Sequence, residues 1–292
     1  LLSEMPVGSY VDYVGSGGFV GEEEVACKKD GESLDNVLND SIEAANSCRG
    51  ENVGEDVDKS GYTYGYCDNN EGRFLTTGWR IAYVKDSKVR IVSAGSPECS
   101  NRVSSTANST YIKTANSLAM KYCNSEFVDG NCSCLDSNGD GLCDCTDSDN
   151  DGLCDEIENN QVDAWAISDI DFYNMTKVIS GYGKRLSSSS SSLGDSGGSL
   201  ETTLYCTSKY SYEECGYNND LIDNGGYYWF GSEAGSGFML FWDAGYRSVE
   251  MTPSSTTYGV RPVLKLDSSI RAIGGTGTME NPYTISTRDG VE

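Results

Sequence analysis

The sequence predicts an α+β domain, and three observations support this prediction. Amphipathic helix patterns and hairpin patterns occur on both sides of an acidic segment. Twelve cysteines are spread over 292 residues. Neither flank of the acidic segment carries the elements of a complete core by itself. We therefore expect one discontinuous domain, formed by residues 1–128 and 161–292, with an inserted segment at 129–160.

The first flank contains four predicted elements. Residues 1–20 have a strand-like composition that ends in a glycine-rich turn, and residues 32–46 have the spacing of a short amphipathic helix. Residues 79–93 predict a β-hairpin around the polar turn Lys85 to Lys88. Residues 109–123 predict a second amphipathic helix.

The second flank begins with a helix and continues as sheet. Ser168 is a predicted N-cap, because Asp171 stands three residues on and apolar residues follow at helical spacing. Residues 181–200 form a Gly/Ser-rich loop, and 227–230, 238–242 and 260–266 are three predicted strands. Most aromatic residues of these strands are interpreted as core.

The cysteines indicate disulfides and an oxidising compartment. Their number is even, and zinc is disfavoured because the chain has no histidine and no compact paired CxxC knuckles. We expect six disulfides, with local pairs Cys27–Cys48, Cys67–Cys99 and Cys206–Cys215, and with Cys123 bonded to Cys132 or a neighbour. The connectivity of the remaining cysteines of this region stays open, among Cys132, Cys134, Cys143, Cys145 and Cys154.

The net charge of −24 argues against nucleic acid and against anionic membrane surfaces as partners. No stretch approaches the ~20 apolar residues of a membrane span. With so many cysteines, we expect an extracellular or cell-surface location. Any export or anchoring segment, and with it any membrane attachment, would precede Leu1.

Enzymatic chemistry has little support in the sequence. Gly194 to Gly198 copies the nucleophile motif of chymotrypsin-like proteases, but the chain has no histidine to accept the serine proton. Cys-His catalysis is excluded for the same reason. A carboxylate-based hydrolase is the remote alternative that remains.

The strongest chemical signal is a pair of acidic loops that start eleven residues apart, at Asp136 and Asp147. Oxygen donors at alternate positions, followed by a glycine, suit the six to eight oxygen ligands of Ca²⁺. We expect two structural calcium ions. The first site would use Asp136, Asn138, Asp140, the Leu142 carbonyl, Asp144 and Asp147. The second site would use Asp147, Asp149, Asp151, the Leu153 carbonyl, Asp155 and Glu158.

This tandem resembles thrombospondin type 3 repeats and EF-hand-like calcium loops, and more loosely those of dockerins. The four cysteines that run through the loops favour a rigid structural module over a regulatory switch. The resemblance implies calcium binding and does not imply a particular partner.

The flanks carry a second resemblance. The Trp79 hairpin, the helix that ends at Cys123, the helix at Ser168, the segment Asn224 to Phe230 and the segment Tyr258 to Leu264 form a series. Together with the ending Gly274 to Ile285, the series resembles uncharacterised bacterial surface domains of C-type-lectin-like fold. They belong to the branch that includes formylglycine-generating enzyme, and they often follow a pilin-like N-terminus.

Two departures limit what this resemblance implies. The chain lacks the Glu-Pro-Asn or Gln-Pro-Asp triplet of sugar-binding C-type lectins, and it lacks a cysteine pair near the C-terminal face for copper. We therefore expect a non-enzymatic surface protein, either the globular part of a pilin-like filament subunit or a surface adhesin.

The alternative is a secreted binding module with a variable recognition face at 232–258. Its ligand would be an unknown protein or glycan, and its candidate contact residues are Tyr246, Arg247, Glu250 and Tyr258.

Overall fold

The computed structural model describes the chain in separate ranges. The described residues are 1–14, 25–29, 62–65, 79–93, 98–99, 108–148, 154–180, 219, 221–222, 228–233, 238–243, 248–253, 259–279 and 281–290. The helix expected at 32–46 and the loop at 181–200 lie outside these ranges. Of the described residues, some are known by backbone alone.

The described elements are helices and, predominantly, strands, as the sequence predicts for an α+β chain. The strands are β1 (Tyr10–Asp12), β2 (Val25–Lys29), β3 (Tyr62–Gly65), β4 (Trp79–Lys85), β5 (Lys88–Ser93), β6 (Glu98–Cys99), β7 (Ala164–Ala166), β8 (Tyr228–Glu233), β9 (Phe238–Asp243), β10 (Ser248–Pro253), β11 (Gly259–Val260), β12 (Pro262–Lys265), β13 (Ala272–Gly274) and β14 (Tyr283–Ile285). The α-helices are α1 (Asn108–Met120), α2 (Asp155–Glu158) and α3 (Asp169–Ser180). Single 3₁₀ turns occur at Leu2–Glu4 and Arg288–Gly290.

The main sheet has seven strands in the order β13-β14-β1-β4-β5-β12-β7. Strand β1 pairs parallel to β14 and antiparallel to β4. The sheet therefore combines strands from both sides of the acidic segment. The other described strands form a five-stranded sheet, β10-β9-β8-β11-β6, and the two-stranded sheet β2-β3.

The β4–β5 hairpin confirms the sequence prediction. Its two turn residues, Asp86 and Ser87, have φ of 53° and 61°. Positive φ at both central positions is the type I′ geometry, whose twist matches that of the flanking strands. Both strands bury most of their residues, so the hairpin lies at the centre of the seven-stranded sheet.

The N-terminus of α3 is also confirmed. The Asp171 N–H donates to Ser168 Oγ at 3.3 Å, and the Ser168 N–H donates to Asp171 Oδ2 at 2.8 Å, which is a reciprocal cap. Asp171 is fully buried. Its carboxylate also accepts the Tyr83 hydroxyl at 2.6 Å and the Trp165 indole N–H at 2.8 Å. Burial, followed by the Asp171 charge, raises the pKa of Tyr83 well above its ordinary value.

Among the residues that the structure describes, the hydrophobic core has two main clusters. One contains Trp165, Phe172, Trp229 and Trp242. The other contains Trp79, Tyr122, Phe127 and residues of β1 and β12. Helix α1, confirmed at Asn108–Met120, packs against β7 and β8 and buries Ile112, Ala115 and Ala119.

Candidate metal centre

Three disulfides form a regular array along residues 123–154. They join Cys123 to Cys132, Cys134 to Cys143 and Cys145 to Cys154, each across nine positions. We call the enclosed segments the first, second and third ring. The predicted partner of Cys123 is confirmed, and the connectivity that the sequence left open is local. The pairs expected for Cys27, Cys48, Cys67, Cys99, Cys206 and Cys215 lie outside the described side chains.

The second ring folds around Asp136. Its carboxylate accepts the backbone N–H groups of Gly139, Asp140 and Gly141 at 2.8, 3.1 and 3.0 Å. Gly139 and Gly141 have φ of 72° and 81°, in the left-handed region that favours glycine. The loop therefore turns sharply at Gly141, the glycine that follows the alternating oxygen donors.

Asn138 and Asp140 meet in the same loop. The Asn138 amide donates to Asp140 Oδ2 at 2.9 Å, and the Leu142 N–H donates to Asp140 Oδ1 at 2.9 Å. The hydrogen bond from Asn138, followed by the one from Leu142, lowers the pKa of Asp140. Asp140 is thus held as a carboxylate on an exposed loop.

Asp144 closes the base of the loop. Its Oδ2 accepts the Ser137 N–H at 2.9 Å, and its own N–H donates to the Leu135 carbonyl at 2.6 Å. The bonds from Ser137 lower the pKa of Asp144. On the other side, Lys113 Nζ of α1 lies 3.5 Å from Asp144 Oδ1.

The third ring repeats this closure eleven residues later. The Asp155 N–H donates to the Thr146 carbonyl at 2.6 Å, and Asp155 Oδ1 accepts the Ser148 N–H at 3.2 Å. Asp155 therefore corresponds to Asp144 in structure as well as in sequence. Of the other predicted second-site ligands, Asp149, Asp151 and Leu153 lie outside the described residues, and Glu158 lines a small cavity with Tyr83 and Asn160.

The array is fixed to the core along its length. The Cys143 N–H donates to Ser117 Oγ of α1 at 2.8 Å. Buried Glu156 accepts the N–H and the hydroxyl of Thr146 at 3.0 and 2.6 Å. Cys123 belongs to one core cluster and Cys154 to the other. The two ends of the array are therefore anchored in different parts of the core.

The donor chemistry of the second ring fits Ca²⁺. Within residues 136–142, the predicted ligands are the carboxylates of Asp136 and Asp140, the amide oxygen of Asn138 and the backbone carbonyl of Leu142, all of them hard oxygen donors. Within the described ranges, no group of three or more Asp, Glu, Cys or His side chains is clustered around a common metal position. The structure thus brings Asp136, Asn138 and Asp140 together through loop hydrogen bonds, while the arrangement of Asp144 and Asp147 around a shared ion stays a prediction.

The first ring was not recognised from the sequence as a copy of the loops. Eleven residues before Asp136, Asn138 and Asp140 stand Ser125, Phe127 and Asp129. Phe127 is buried, and Asp129 Oδ2 lies 2.6 Å from Lys88 Nζ. The signal that could have revealed this copy is the Cys-x₈-Cys spacing, because the ligand pattern is lost.

The predicted contact face is described only in part. Strands β9 and β10 occupy much of 232–258. Phe241 and Trp242 are buried, so they belong to the core and their side chains are not accessible to a partner. Tyr246, Arg247 and Tyr258 lie outside the described residues, and Glu250 is described by its backbone in β10.

Within the ranges that the structure describes, no helix has the length and apolar character needed to cross a membrane. Comparison of the chain with protein-family models, with curated proteins and with solved structures finds no match in any of the three.

Proposed function

We propose that the chain is the calcium- and disulfide-stabilised globular part of an extracellular surface protein. In this proposal it is non-enzymatic and acts in a pilin-like filament subunit or a surface adhesin, with a C-type-lectin-like fold. The observation that supports it best is the disulfide array, which carries an acidic loop on a frame anchored in both core clusters. Disulfides of this density indicate an oxidising environment.

Calcium would act as a structural ion in this proposal. The second ring places Asp136, Asn138, Asp140 and the Leu142 carbonyl on one loop, and calcium would neutralise carboxylates that otherwise repel one another. The loop is bonded to α1 through Ser117 and Lys113, and α1 packs on β7 and β8. Calcium bound to the loop would therefore also stabilise the folded domain. The second ion would occupy the corresponding loop from Asp147 to Glu158.

The structural role is tested by removing calcium. Calcium that binds only the folded state stabilises it by about 2.7 kcal/mol at 100 times the dissociation constant. We expect calorimetry to show calcium binding, and chelation to lower the melting temperature by several degrees and to expose the second ring to proteases. Magnesium at the same concentration should stabilise less, because it requires a stricter octahedral geometry. Absence of calcium binding, with an unchanged melt and unchanged proteolysis, would refute this role.

The surface role needs a separate test. Electron microscopy of cells that produce the protein should show filaments that contain this chain if it is a filament subunit. If it is an adhesin, the purified chain should instead block attachment of those cells to their target surface. The absence of both filaments and inhibition of attachment would contradict the proposal.

A further inference from the structure

We propose that the Cys134–Cys143 disulfide is a redox gate on calcium binding, so that the second ring binds calcium tightly only after this bond has formed. The inference rests on the proposed calcium site and adds a regulatory property to it. The two cysteines flank the loop directly, and Asp136, Asn138, Asp140 and the Leu142 carbonyl all lie between them.

The loop depends on its closure because its interior has little other support. Residues 135–141 are exposed. In the described part of the chain, the hydrogen bonds of Asp136, Asn138 and Asp140 connect loop positions to one another. Contacts with α1 occur at the base, at Cys143 and Asp144, beside the disulfide. Opening the ring therefore leaves the segment that carries the proposed ligands closed only by the hydrogen bonds of Asp144 with Leu135 and Ser137.

The redox step is a thiol–disulfide exchange. A dithiol reductant breaks the Cys134–Cys143 bond, both cysteines become thiols, and the reductant becomes a disulfide. The opened loop gains conformational entropy that calcium must then overcome. A ring of this size gives an expected loss of affinity of roughly 10- to 100-fold.

Thermodynamic linkage gives the reciprocal effect. If the disulfide strengthens calcium binding, calcium must protect the disulfide from reduction by the same factor. The first ring supplies an internal control, because Cys123–Cys132 spans the same nine positions but encloses Phe127 where the second ring has a ligand. Its stability to reduction should not respond to calcium.

The experiment uses the unmodified protein. It is equilibrated in buffers with increasing ratios of reduced to oxidised dithiol, with calcium chloride or with EGTA, and the thiols are alkylated and identified by mass spectrometry. Near-UV circular dichroism confirms that the protein stays folded. We expect calcium to raise the ratio needed to reduce Cys134–Cys143 roughly 10- to 100-fold and to leave Cys123–Cys132 unchanged.

Failure of the gate and failure of the calcium site are distinguishable. Calcium binding to the oxidised protein, with no shift at Cys134–Cys143 or an equal shift at Cys123–Cys132, overturns the gate while the calcium site stands. No calcium binding by calorimetry overturns the structural calcium role on which the gate rests, while the surface role keeps its own test. As a second measurement, a Cys134→Ser/Cys143→Ser variant should bind calcium more weakly by the same factor, and a Cys123→Ser/Cys132→Ser variant should keep the affinity of the original protein.

Discussion

The first and second rings have the same covalent frame and opposite surroundings. Each is closed by a disulfide across nine positions. The first ring buries Phe127 and Val128 in the core and pairs Asp129 with Lys88. In the second ring the corresponding positions are exposed, and backbone N–H groups of the loop donate hydrogen bonds to the Asp136 carboxylate. Each loop is therefore closed by a disulfide, but the residues inside are stabilised by core packing in the first ring and by hydrogen bonds within the loop in the second.

The corresponding glycines show the same contrast. In the second ring, Gly141 has φ of 81°, a backbone conformation that side chains disfavour, with open space around its Cα. In the first ring, a Cβ on Gly130 would lie 1.8 Å from Asp163 Oδ2. One glycine is thus required by the turn and the other by a neighbour. The same position of the two rings therefore requires glycine for a local reason in the second ring and for a tertiary reason in the first.

The contrast predicts its largest effect at Phe127. Phe127→Ala should lower the free energy of unfolding by about 3 kcal/mol, because it leaves a cavity between Tyr13 and the rest of that cluster. The loss should be the same with calcium and with chelator, as measured by denaturant unfolding. The control is Leu135→Ala in the second ring, where the side chain is 58% exposed and the loss should stay below about 0.5 kcal/mol. Equal losses in the two variants would contradict the comparison.

The next largest effect is expected at Asp136. In the presence of chelator, Asp136→Ala should lower the free energy of unfolding by about 1 kcal/mol, because three backbone N–H groups lose their acceptor and are hydrated instead. With calcium at 100 times the dissociation constant, the loss should grow by up to about 2.7 kcal/mol. Thermal melts in both buffers measure the difference. Ser125→Ala, at the corresponding position of the first ring, should show no dependence on calcium.

The smallest effect concerns Lys88 and Asp129. Both side chains are partly exposed, so a double-mutant cycle with Lys88→Ala and Asp129→Asn should give a coupling of about 0.2–1 kcal/mol at neutral pH. The hydrogen bond and the charge of Lys88 lower the pKa of Asp129 in the folded protein. A lowered carboxyl pKa means that the stabilisation is complete above the unfolded value near 4 and is lost as the pH falls through the folded value. A coupling that persists when Asp129 is protonated would exclude an ionic origin.

The sequence predicted the elements that local physics determines. The β4–β5 hairpin follows from alternating apolar residues around a polar turn, and α3 follows from Ser168 and Asp171 at cap spacing. The loop at Asp136 follows from the positions of its carboxylates and glycines. In each case the residues that specify the structure are close together in the chain.

The features that the sequence did not predict depend on distant partners. Strand β7 has three residues, and it is a strand because β12 pairs with it. The parallel pairing of β1 with β14 joins segments more than 250 residues apart, and no local pattern encodes it. The contacts of the array with Asn116 and Ser117 were missed because helical periodicity identifies an apolar face and not its polar neighbours. The first ring was missed because its core contacts replaced the ligands.

The array also limits how far the chain can be stretched. Nine peptide steps extend to about 30 Å when pulled straight. The disulfides hold the corresponding Cα atoms 5.5, 5.3 and 5.0 Å apart. Each bond thus removes about 25 Å of extensible length, and together they remove about 75 Å. Under mechanical load the acidic loops would bear almost no tension, because the covalent path through the sulfur atoms is the shorter one.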